Sequence, residues 1–185
     1  MSFKTIFVPM AFEQTAKSVS DAALKMAHAF HGHVMAHHVR QRFASYPPME
    51  FFPAAASATT MAMESHDEAT AAFARTMRVA FEERCDEDGA HIVPVSEALK
   101  HNGVTASWSE ETGAMTRNYA MAARVADLVV MSNPDPKEIL LEREIFEEIL
   151  MQSGAPVLLV PRDGLDAAPR RPLVAWDGSL QASRI

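Results

Sequence analysis

Short, continuously apolar runs alternate along the chain with stretches whose apolar residues recur every three or four positions. Thr5-Ile6-Phe7-Val8 runs into Pro9 and predicts a buried strand. Ala16, Val19, Ala23, Met26 and Phe30 then fall on one helical stripe, and Gly32 follows as the expected left-handed helix stop. Val34 to Val39 predicts a second strand. Strand, helix and strand within 40 residues make one parallel, right-handed unit.

The same alternation continues. A long helix is predicted from about Thr60 to Asp88, with Phe73, Met77, Phe81 and Cys85 on one face and Gly89 after it. Ile92-Val93-Pro94-Val95 is too broken by Pro94 for a central strand, so Val104 to Ser109 is the expected third strand. Met115, Tyr119, Ala122 and Val125 mark a helix, and Asp127 to Met131 a fourth strand. The last helix has a readable start, with Asp135 as N-cap, Pro136 at the first helical position and Glu138 completing a variant capping box. Its apolar face carries Leu141, Ile145 and Ile149 beside Phe146 and Leu150. Gly154 ends it, and Pro156 to Val160 is a fifth strand.

Strands this apolar are expected to be covered on both faces. The fold class is therefore α/β, a doubly wound, Rossmann-like five-stranded parallel sheet with helices on both sides. It occupies residues 1–161. A Pro-containing, acidic connector spans 162–172, after which Leu173-Val174-Ala175-Trp176-Asp177-Gly178-Ser179 starts the pattern again as a strand leading into a helix. One strand and a few helical residues cannot bury an apolar face alone, so 173–185 reads as the truncated start of a second similar domain in a longer tandem protein.

Composition narrows the function. Seventeen Lys and Arg against 24 Asp and Glu give a net charge of −7, which argues against nucleic acid as partner. No apolar run approaches the roughly 18 residues of a membrane span, and the amino terminus lacks signal-peptide features. With one cysteine, Cys85, a reduced cytoplasmic setting is expected. Cys85 lies on the apolar stripe and reads as a small buried hydrophobe. The eight histidines read as solvated or hydrogen-bonded groups, not metal ligands, since neighbours such as His37 and His38 point to opposite faces. Neither a G-x-S-x-G turn nor a Walker loop is present, so nothing names an enzyme.

Four stretches together resemble the universal stress protein family in its tandem form: Lys4 to Pro9 with the Ala-rich helix after it, Ala123 to Val130, Ser153 to Pro161, and the restart Leu173 to Ser179. The resemblance implies strand order 3-2-1-4-5, pairing through the fifth strands, a stress-response role and, in one subclass, ATP or another adenine nucleotide as ligand. That subclass carries a glycine-rich turn after its fourth strand, where backbone N–H groups reach the phosphates. Here the turn is Ser132-Asn133-Pro134-Asp135-Pro136-Lys137-Glu138, with no glycine, two prolines that lack N–H donors, and acidic residues at the helix start. The family's Asp after the first strand is replaced by Met10-Ala11-Phe12. The expectation is a first domain without cofactor, serving as scaffold and pairing through strand 156–160, either in a homodimer or with a tandem domain. ATP would belong to a complete second domain, where Asp177 keeps the acidic residue.

The alternative expectation is a small-molecule or adenine-nucleotide pocket at the carboxyl ends of strands 1, 2 and 4. Its candidate residues are Met10, Phe12, Val39, Ser132 and Asn133, with Asp177 in the restart. Aromatic residues of the loop from Arg40 to Ala56 (Phe43, Tyr46, Phe51, Phe52) would cover it.

Overall fold

A computed structural model describes residues 3–42, 56–135 and 140–169. In chain order the elements are β1 (Thr5–Pro9), α1 (Glu13–Phe30), β2 (His33–Gln41), α2 (Ala56–Asp88), β3 (His91–Ile92), β4 (Thr105–Gly113), α3 (Met115–Ala122), β5 (Leu128–Ser132), α4 (Leu140–Gln152) and β6 (Val157–Val160). The sheet is parallel throughout, in the order β3-β4-β2-β1-β5-β6. The expected five strands take the expected relative order. The correction is a sixth, the two-residue β3 on the outer edge, where Pro94 stops it from growing.

Alternation along the central strands divides the core. Ile6, Val8, Val34, Ala36, Ala106, Leu128 and Val130 face α1 and α2, packing on Met77, Phe81 and Cys85. Phe7, Val39, Val129 and Met131 face the other way, toward Tyr119 of α3 and Ile145 and Ile149 of α4. Helices thus cover both faces, but unevenly: the outer half of β4, Ser109 to Thr112, is exposed. One face of the pairing with β2 is polar along β4. His33 bonds Thr105 Oγ1 through Nδ1 at 2.8 Å and Ser107 Oγ through Nε2 at 2.9 Å. His37 repeats the pattern with Ser109 at 2.8 Å and Glu111 at 3.0 Å. This cross-strand ladder carries β4 beyond the predicted Ser109 without an apolar run.

Some local expectations change. His31, not Gly32, takes the left-handed conformation after α1, at φ 53°. Gly32 is needed for space instead, since a Cβ there would lie 2.8 Å from the Phe3 carbonyl oxygen. Gly89 ends α2 as read, at φ 77°. Val125 falls in a 3₁₀ turn after α3 and is 72% exposed, and Phe73 and Leu150 are exposed as well. Pro136 and Glu138 of the capping box, the segment 43–55 and the restart 173–185 lie outside the described residues.

Candidate functional site

In a doubly wound sheet, ligands bind outside the carboxyl ends of the strands. Here those ends are at different heights. β1 stops at Pro9, opposite His37, while β2 and β4 run on together to Gln41 and Gly113. Where β1 stops, Met10 N–H still reaches the His37 carbonyl at 2.8 Å, but the next N–H on that side of β2, Val39, has outrun its neighbour. The hydroxyl of buried Tyr119 accepts it at 3.1 Å. Burial drives the Tyr119 hydroxyl well above the ordinary tyrosine range, so it stays protonated.

The nominated residues are divided between two layers. Met10 is buried in the α1–α2 core with its sulfur near Ser20 Oγ, whereas Phe12 and Val39 pack in the opposite core. The Val39 N–H is already engaged by Tyr119. Asn133 is exposed and donates its N–H to the Val160 carbonyl at 2.9 Å. Ser132 is buried and donates its hydroxyl to Oε1 of Glu142, while Arg162 donates to Oε2 of the same carboxylate at 2.9 Å. Glu142 is 1% exposed. It therefore places a paired negative group directly beyond the end of β5. Asp177 lies outside the described residues.

The larger cavity described at this end lies to one side of those residues. A cavity of about 620 Å³ lies where β2 and β4 end and α3 begins, with Arg42, Arg117, Thr116, Asn118 and Glu144 on its walls. Among the described residues, neither the Arg42 nor the Arg117 guanidinium makes a hydrogen bond or ion pair. A second opening of about 410 Å³ adjoins it, between His37, Glu111, Arg117 and Met121.

Sequence reading missed Tyr119, Glu142 and His38 as site residues. Glu142 had a signal, because it stands three and seven positions before Ile145 and Ile149 and so on their stripe. His38 is 2% exposed and donates Nδ1–H to the Met10 carbonyl at 2.6 Å. Desolvation, foremost, holds its pKa below the ordinary histidine value despite that bond and the nearby Glu110, with His37 and Arg40 adding to the lowering. Cys85 is buried, and its thiol is pushed up to about 12 by burial first and by Asp88, Asp86 and Glu82 next. No group of three or more metal-ligating side chains occurs among the described residues, and none of their helices is long and apolar enough to cross a membrane.

Solved structures match this architecture over most of its length. Universal stress protein UspA from Lactobacillus plantarum superposes with a TM-score of 0.56 at 13% identity, covering 86% of this chain and 98% of its own. The fold is that of the universal stress proteins. A universal stress protein family member from Burkholderia pseudomallei gives 0.50 at 19% identity, covering 86% and 96%. A universal stress protein in complex with cAMP gives 0.50 at 15%, covering 88% and 99%. No family model and no curated protein matches the sequence.

Proposed function

We propose that this chain is a universal stress protein-like stress-response module. In this reading its first domain, residues 1–161, is degenerate for ATP binding and serves as a scaffold and pairing domain, the start of a tandem protein. The observation that carries the reading is the buried Glu142 carboxylate, held by Ser132 and Arg162 at the end of β5. With Ser132 and Arg162 both bonded to that carboxylate, they are committed within the chain, and the turn offers no glycine N–H groups to hold a phosphate in their place. The Val39 N–H, taken by Tyr119, offers no replacement donor.

Pairing finds support in β6. Among the described residues it is an edge strand with β5 on one side, and Leu159 is exposed. An apolar edge of this kind invites another strand. A second copy of the chain or a following domain would cover it, and a nucleotide site in that following domain would use Asp177.

Titration calorimetry with Mg-ATP tests the central claim. No heat of binding is expected up to millimolar nucleotide, and a micromolar dissociation constant defeats the reading. For pairing, light scattering is expected to show a dimer that Leu159→Lys converts to monomer; a wild-type monomer counts against it.

A second reading, nucleotide or other anion binding away from β5, draws on the 620 Å³ cavity and its two guanidinium groups. Binding of AMP that is lost in an Arg42→Ala, Arg117→Ala double variant would favour it over the scaffold reading.

A further inference from the structure

A smaller cleft of about 280 Å³ lies over the carboxyl end of β2, away from β5 and the phosphate question. Its walls are Ala69, Thr70 and Phe73 of α2 on one side and Met115 at the start of α3 on the other, with His38 and Val39 between. α2 is held over the strand end by His66, whose Nε2–H donates to the Gln41 carbonyl at 2.8 Å. Arg40 also reaches the cleft, but its charge is met by Glu110 at 2.8 Å.

His38 carries unspent bonding capacity in the cleft. A carbonyl oxygen can only accept, so the 2.6 Å contact with Met10 fixes the proton on Nδ1 and leaves Nε2 as a lone pair. Phe73 lies 5.7 Å away and the Trp108 ring is stacked at 6.1 Å, so apolar faces flank the imidazole. Nε2 has no hydrogen-bond partner among the described residues. The indole N–H of Trp108 is also unpartnered, but it is sealed from any accessible space; His38 Nε2 is not among such sealed atoms. The ring is otherwise almost wholly buried, so its one open acceptor addresses the cleft. A donor-bearing occupant would give this acceptor a direct partner.

The geometry points to this cleft as a binding site for a small, uncharged, one- or two-ring molecule bearing a single hydrogen-bond donor, with His38 Nε2 as acceptor. The volume is at the lower limit of ligand pockets, about 300–1,000 Å³, which suits a compact ring system and excludes a nucleotide. An anion is disfavoured too, because the neutral imidazole offers it only a lone pair and the Arg40 charge is already met by Glu110. The site stands independently of the scaffold reading: ATP can bind or fail to bind without bearing on it.

The test uses 2-naphthol as probe and 2-methoxynaphthalene, which has the same rings and no donor, as its control. Calorimetry is expected to give saturable one-to-one binding of 2-naphthol, at least tenfold tighter than the control. In ¹⁵N spectra of the histidine side chains, the His38 Nε2 resonance is expected to move. Since changing His38 removes its bond to Met10 and can unfold the chain, the variant of choice is Ala69→Leu. It fills the cleft from an exposed helix position, and at least tenfold weaker binding at unchanged Tm is expected. Absence of 2-naphthol binding, equal affinity for the two probes, an unmoved Nε2 resonance, or full affinity in Ala69→Leu would each overturn the proposal.

Discussion

Arg162 donates to Oε2 of Glu142 at 2.9 Å, tying the chain after β6 to the first turns of α4. The carboxylate is sealed, while the guanidinium is 33% exposed. Removing the arginine leaves a buried charge with only the Ser132 hydroxyl. Arg162→Met is therefore expected to destabilise the domain by about 1–3 kcal/mol, below the range for a wholly buried pair because water reaches the vacated side. Urea denaturation checks this; a change under 0.5 kcal/mol would show that the contact is not a lock.

Tyr119→Phe removes the acceptor that satisfies Val39 N–H at a buried position. The expected loss is about 1–2 kcal/mol, from leaving a donor unpaired with packing nearly unchanged. Amide exchange at Val39 should accelerate in the variant more than at Val34, which lies within the β1–β2 pairing.

Gly32 and His31 are expected to respond in opposite directions. A methyl at Gly32 meets backbone oxygens of Phe3 and Lys4 at 2.8 and 3.2 Å, so Gly32→Ala should cost about 1–3 kcal/mol. His31 adopts φ 53° at the end of α1, where glycine carries no Cβ penalty, and His31→Gly should gain about 0.5–1 kcal/mol. Thermal denaturation of the two variants reads both signs.

Asp127 accepts from Lys4 N–H at 2.8 Å, and from Thr5 N–H and the Thr5 hydroxyl at 2.9 Å each. The Thr5 N–H contributes most to lowering its pKa, outweighing slight desolvation. A depressed folded pKa contributes stability above the unfolded value of about 3.9 and loses it as pH falls through the folded value. The side chain is exposed, so the contribution is about 1 kcal/mol after screening. The stability of Asp127→Asn should accordingly lie below wild type at pH 7 and converge with it under acid conditions; parallel curves down to pH 2 would refute the assignment.

Cys85 should be inert in the native protein. Its thiol is buried and pushed up to about 12, so almost no thiolate exists at pH 8. Reaction with Ellman's reagent is expected only after denaturant is added, and prompt labelling in buffer would contradict the packing.

The central sheet was legible because β1, β2, β5 and β6 carry the apolar residues a buried parallel strand requires, and Met77, Phe81 and Cys85 keep one helical stripe. The last four residues of β4 were not, because histidine, serine and glutamate hold them to β2, and no hydrophobic pattern announces such a ladder. At the site, the lack of glycines after Ser132 could be read directly. Glu142 was hidden in plain spacing, and the protonation of His38 depends on Met10, a residue 28 positions earlier that only the folded chain brings near.

Because β2 and β4 continue four residues past the level at which β1 stops, the top of the sheet is a terrace backed by a wall about 13 Å high. Residues at the crest and residues beside Pro9 therefore belong to two separate levels of the same sheet end.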